Sequence, residues 1–160
     1  MTNHIKLARD FITAWEDKNL NQILNMMAKN CKYHNIPMQP LEGHDNIKSF
    51  IAPVIEMSQK IVWDIHQIAD DDTGNVFTER TDKFLINDTW IELPVCGVMT
   101  FSDGLMTHWR DYFDLLEHRA QTRNNSNGSG TKAEITLMAR KINERQPYEV
   151  VKYIYQQIKK

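Results

Sequence analysis

Arg80 and Asp82 are the residues through which this chain could do chemistry. They stand two apart in Glu79-Arg80-Thr81-Asp82-Lys83-Phe84, a stretch that reads as a β-strand. Alternate side chains of a strand point to opposite faces, so one face carries Val76, Arg80, Asp82, Phe84 and Ile86. A guanidinium and a carboxylate are thereby set among apolar neighbours, on the face expected to look into the protein. Burying charge is costly unless it is paired. The pair is therefore either a structural salt bridge or part of a reaction centre.

Two further strand-like stretches offer partners. In Trp109-Arg110-Asp111-Tyr112-Phe113-Asp114-Leu115, Asp111 shares a face with Trp109, Phe113 and Leu115. In Lys32-Tyr33-His34-Asn35-Ile36, Tyr33 and Asn35 point the same way. If the three faces converge, one site holds two carboxylates, a guanidinium, a phenol and an amide. Two carboxylates bridged by one arginine can be driven to different protonation states, one staying neutral near pH 7. The ionised carboxylate could then take a proton from water while the neutral one donates to a leaving oxygen, with Tyr33 and Asn35 holding the water. Such a set suits addition of water across a strained C–O bond without a covalent intermediate. The plain alternative is a satisfied polar network that stabilises the sheet. Five polar residues on otherwise apolar strand faces favour the reaction centre.

Other chemistries find less support. His4, His34, His44, His66, His108 and His118 show no metal-ligand spacing, and His34, His66 and His108 fall on the strand faces opposite the polar set. No metal is expected. No glycine-rich loop leads from a strand into a helix, so nucleotide binding is not expected either. Cys31 and Cys96 lack a CxxC partner. Asp70-Asp71-Asp72 reads as a solvated turn, and the eight methionines as packing residues.

The elements that must position these side chains follow from periodicity. Thr2 can cap a first helix with Ile5, Ala8, Ile12 and Trp15 on one stripe. Asn19 can cap a second, with Leu20, Ile23, Leu24 and Met27 buried. A first strand is expected over Cys31 to Ile36, broken at Pro37 and Pro40. A third helix is expected over Gly43 to Met57, with Ile47, Phe50, Ile51, Val54 and Ile55 inward and with Pro53 predicting a kink or a shorter helix. Strands follow over Ile61 to Ala69, Val76 to Ile86, Trp90 to Phe101 and Leu105 to Leu116. Asn87-Asp88 and Ser102-Asp103-Gly104 supply hairpin turns. Helices followed by a four-strand meander, joined by the early strand, predict an α+β domain with the helices covering one side of a curved sheet. Residues 121–132 read as a polar Asn/Gly/Ser linker. Residues 133–160 read as an amphipathic helical extension of two helices, opened by a Thr131/Glu134 capping box and restarted at Pro147.

Bulk properties exclude little but exclude it cleanly. The 160 residues suit one domain (1–120) plus that appendage, and 41% apolar with 25% charged residues is ordinary for a globular protein. The net charge of −2 gives no general attraction to nucleic acid. It hides an asymmetry: 1–120 carry 11 Lys/Arg against 18 Asp/Glu, while 121–160 carry 8 against 3. A basic tail on an acidic body is expected to dock on its own body or on a partner subunit. No segment approaches a membrane span, and Met1 to Leu20 lacks the apolar run of a signal peptide. With two cysteines and no disulfide framework, a reducing, cytoplasmic location is expected.

The motifs resemble those of the limonene-1,2-epoxide hydrolase family, within the NTF2-like (SnoaL-like) cone fold. The resemblance rests on Tyr33-His34-Asn35-Ile36-Pro37-Met38 with Pro40-Leu41-x-Gly43, on Glu79-Arg80-Thr81-Asp82 with Leu93-Pro94-Val95-x-Gly97-Val98, and on Trp109-Arg110-Asp111-Tyr112-Phe113-Asp114. These match in spacing and order over about residues 3–118. The resemblance implies that Asp111 is the general base acting on a water held by Tyr33 and Asn35, and that Asp82 is the general acid. It implies that Arg80 bridges the two. It further implies a one-step, cofactor-free opening of an epoxide to a vicinal diol by a homodimer. The extension past residue 120 departs from the family pattern.

A pocket of apolar lining is expected from Ile91, Leu93, Val95, Met99 and Phe101 on one face of their strand, together with Trp109, and suits a small hydrophobic epoxide. Two other readings compete. A cyclase, isomerase or dehydratase on the same fold would need no arginine bridge, so Arg80 weighs against it. A non-enzymatic ligand-binding module would bind without turnover.

Overall fold

The computed structural model describes residues 3–36 and 38–114. Its elements run α1 (His4–Glu16), α2 (Leu20–Asn25), β1 (Met27–Asn35), β2 (Leu41–Glu42), α3 (His44–Met57), β3 (Lys60–Asp70), β4 (Asn75–Ile86), β5 (Thr89–Ser102) and β6 (Leu105–Tyr112). The expected linker over 121–132 and extension over 133–160 lie outside the described residues, as do Leu115 and Leu116.

The strands form one open six-stranded sheet in the order β2-β1-β6-β5-β4-β3. β3 to β6 make the expected antiparallel meander, and β1 joins it parallel to β6. The two tight hairpins are closed by residues at positive φ: Asn87 and Asp88 before β5, Asp103 and Gly104 before β6. That backbone twist matches the strands on either side. Register shifts within β3, between β5 and β6, and between β1 and β6 bend the sheet, as bulges do.

All three helices bury a face against one side of this sheet. Ala8, Phe11, Ile12 and Trp15 of α1 and Ile47, Ile51 and Ile55 of α3 share a core with Cys31, Tyr33, Ile61, Trp63, Val76, Met99 and Trp109. Glu16, the last residue of α1, accepts a hydrogen bond from the backbone N–H of Trp63 at 3.0 Å, which stitches that helix to edge strand β3.

Several local expectations need correction. Asn3, not Thr2, caps α1, its side chain accepting from the Lys6 N–H at 2.9 Å. Asn19 caps α2 as expected, but the helix ends at Asn25 and Met27 opens β1 instead. The first strand therefore starts four residues earlier than Cys31, with Met27 buried in register with Met106. Phe50 is 37% exposed rather than inward, its ring meeting Tyr33 in a T-shaped contact. Pro53 does not shorten α3, which runs on to Met57. Proline removes the bond to the carbonyl four residues back, and here both Pro53 and Ser49 face solvent, where water can serve that carbonyl. β6 ends at Tyr112, so Phe113 lies beyond the strand.

Candidate active site

Cross-strand register sets the predicted residues in adjacent rows on the inner face. One row runs Thr78 on β4, Gly97 on β5, Asp111 on β6 and Asn35 on β1. The next, toward the core, runs Val76, Met99, Trp109 and Tyr33. On the other side Arg80 pairs with Val95, and Asp82 with Leu93 and with Trp63 on β3.

Arg80 joins these rows. Its side chain is wholly buried, and Nε and Nη2 donate to Asp82 Oδ1 and Oδ2 at 2.7 and 3.1 Å. Nη2 also stands 2.9 Å from Asp111 Oδ1. Nη1 donates to Thr78 Oγ1 at 2.9 Å, and the guanidinium carbon lies 4.5 Å over the Trp63 ring. The bidentate fork on one carboxylate and the reach to a second are what a planar guanidinium can do and an ammonium cannot. The contact to Asp111 is an ion pair rather than an aligned hydrogen bond, so Asp111 Oδ1 retains acceptor capacity.

Tyr33 and Asn35 arrive from the parallel strand. The backbone N–H of Ile36 donates to the Asp111 carbonyl at 2.8 Å, which fixes Asn35 opposite Asp111. Tyr33 is buried and stacks on Trp109 with ring centroids 4.0 Å apart, two residues before Asn35 on the same strand. All five polar residues singled out from sequence thus converge.

Burial governs the electrostatics. It pushes the Asp82 carboxyl up to about 7, with Arg80 pulling against it and the Asp111 charge adding to it. Asp111 is raised as well by burial, opposed by Arg80 and by the Trp109 indole. Burial would lower Arg80, but the charges of Asp111 and Asp82 outweigh it, so Arg80 stays a cation. Burial and the Asp111 charge keep the Tyr33 phenol protonated, raising it well above its ordinary value against the Asn35 side chain and the Arg80 charge. Two buried carboxyls that share one guanidinium titrate as a pair rather than singly.

Two residues at the site, Thr78 and Trp63, escaped the sequence reading, and a third, Gly97, stood there only within a motif. Thr78 lies on the same alternating face, two before Arg80. Trp63 comes from a strand whose residues gave no polar signal. Gly97 is a glycine inside a strand, which often marks a close approach.

Residues 2–123 match the limonene-1,2-epoxide hydrolase catalytic domain. The chain belongs to the limonene-1,2-epoxide hydrolase family. It is 28% identical over 109 residues to the epoxide hydrolase EphG of Mycobacterium tuberculosis, a span covering 67% of this chain and 70% of that protein. An M. tuberculosis LEH-like epoxide hydrolase structure superposes with a TM-score of 0.63 at 26% identity, over 75% of this chain and 90% of the other. A SnoaL-like polyketide cyclase of Shewanella putrefaciens superposes with a TM-score of 0.68 at 11% identity, over 77% and 98% of the two chains. That last likeness concerns the fold alone, which is the NTF2-like α+β fold. At the level of the family, the chain is an epoxide hydrolase.

The apolar residues expected around a family substrate divide into two groups. Leu93 and Val95 are buried beside Asp82 and Arg80 but outside the main core cluster, as is Ile91. Met99, Phe101 and Trp109 belong to that cluster, where Phe101 stacks with His4 and Trp109 meets Phe11 edge-on. Among the described residues, no three His, Cys, Asp or Glu side chains group to hold a metal, and no helix is long and apolar enough to cross a membrane. Cys31 is buried and Cys96 exposed, both as free thiols; burial pushes Cys31 up to about 12, far from a reactive thiolate.

Proposed function

We propose that this protein opens a small hydrophobic epoxide to a vicinal diol by direct, one-step attack of water, without a cofactor. Asp111 accepts a proton from water as the water oxygen bonds to an epoxide carbon. The ring C–O bond at that carbon breaks, its electron pair passes to the ring oxygen, and that oxygen takes the Asp82 proton. Tyr33 and Asn35 hold the water, and Arg80 keeps the two carboxyls in unequal protonation states. One proton then returns from Asp111 to Asp82 to restore the site. The observation that carries this reading is one wholly buried guanidinium in contact with two carboxylates on strands either side of β5.

The lining we propose is Leu93, Val95, Met99, Phe101 and Trp109, apolar throughout, which fits a terpenoid, fatty or aromatic epoxide. The free thiols fit a reducing cytoplasm. The half-exposed Phe77 and Trp90 on the outer face of the sheet fit a homodimer. The test is turnover of an epoxide panel by the protein and by Asp82→Asn and Asp111→Asn. Each variant should fold and lose diol formation by about 10²–10⁴-fold or more. Undiminished diol from both would refute the assignment.

A further inference from the structure

Arg80 reaches Asp111 across an intervening strand, and what lets it cross is the residue beneath. Gly97 pairs with Thr78 on one side and Asp111 on the other. Its inner face is where any other residue would place a Cβ. A Cβ there would overlap Arg80 Nη1 and stand 2.8 Å from both Asp111 Oδ1 and Thr78 Oγ1. Gly97 is not at a positive φ, unlike Gly43, Gly74 and Gly104. The backbone of β5 therefore makes no demand for glycine at this position, and the demand comes from the guanidinium above it. Thr78 completes the arrangement as the acceptor for Nη1, the one nitrogen of Arg80 that no carboxylate engages.

We propose that Gly97 and Thr78 are positioning residues for the hydrolysis, Gly97 by leaving β5 bare so that Arg80 spans to Asp111, and Thr78 by fixing Nη1 over that gap. This rests on the proposed roles of Asp82 and Asp111. Gly97→Ala pushes the guanidinium off Asp111 while Asp82, on the same strand as Arg80, keeps its fork. Asp111 then loses its counter-charge and holds its proton to higher pH, which removes the base. Thr78→Val has nearly the shape of threonine but cannot accept from Nη1, whereas Thr78→Ser can.

The test is a carboxyl-carbon NMR titration of aspartate-labelled protein, free of ligand, alongside hydrolysis of limonene-1,2-epoxide. Gly97→Ala should move the Asp111 titration to higher pH and lower kcat on the order of a hundredfold, with KM changed by less than about threefold. Thr78→Val should shift the same titration and lower kcat on the order of tenfold, and Thr78→Ser should restore both. Folded Gly97→Ala with an unmoved Asp111 titration would overturn the proposal. If Gly97→Ala does not fold, the Thr78 pair decides: a Thr78→Val titration superimposable on wild type overturns it. Absence of diol from the wild-type protein with every epoxide of the panel would count against the hydrolase reading instead, because the ligand-free titration reports the positioning roles independently.

Discussion

Arg80 Nη2 and Asp111 Oδ1 are 2.9 Å apart although their strands, β4 and β6, are not neighbours in the sheet. A contact that skips a strand requires a long side chain lying flat on the inner face. It also fixes the relation between Asp111 and Asp82, because the same guanidinium holds both. Buried together, the three groups form one electrostatic unit whose members cannot be altered singly without consequence for the others.

Arg80→Ala leaves two buried carboxyls with no cation, and removing one partner of a buried ionic set costs about 3–5 kcal/mol. Urea unfolding should show a loss of that order near neutral pH. Arg80→Lys keeps a positive charge but cannot make the fork on Asp82 and the contact with Asp111 together. Its stability loss should be smaller, while kcat should fall on the order of a hundredfold.

The pH dependence has a definite sign. A folded protein whose Asp82 holds its proton up to about 7 binds a proton that the unfolded chain releases near about 3.9. Stability contributed in this way is complete below the unfolded value and is lost as pH rises through the folded one. The raised Asp111 acts in the same direction. The unfolding free energy from urea titrations should therefore fall from about pH 4 to about 7, by about 1.4 kcal/mol per pH unit for each proton held only by the fold. The kcat/KM profile should fall on its alkaline side near pH 7 as Asp82 loses its proton. Asp82→Glu, if active, should move that limb.

Tyr33→Phe separates packing from chemistry. The ring keeps its stack on Trp109, so stability should change by only about 1 kcal/mol, the worth of a typical hydrogen bond. Loss of the hydroxyl should lower kcat on the order of tenfold with little change in KM. Asn35→Ala should also lower kcat, and the double variant should lose less than the product of the two, since both residues are proposed to hold the same water.

Much of this site was legible before any coordinates, for a simple reason. Alternation along β4 and β6 put Arg80, Asp82 and Asp111 among buried neighbours, and charged residues in an apolar row are conspicuous. Convergence of the three strands was not contained in any local pattern, because it depends on the parallel pairing of β1 with β6. Gly97 was quoted only as part of a motif, since its contribution is a missing side chain. Trp63 carried no charge to mark it, and it also serves the core, stacking on Trp15 with centroids 5.1 Å apart. Helical periodicity misassigned Met27 and Phe50, because one apolar stripe does not reveal where a short helix stops or how wide its buried face is.

The most direct test of the central claim is a single turnover of epoxide by excess enzyme in water enriched in heavy oxygen, with the diol analysed by mass spectrometry. Direct attack of a water activated by Asp111 predicts one labelled oxygen in the first diol released. An unlabelled first diol, with the heavy oxygen appearing in the diol only on later turnovers, would mean that a carboxylate attacked the ring and would contradict the account.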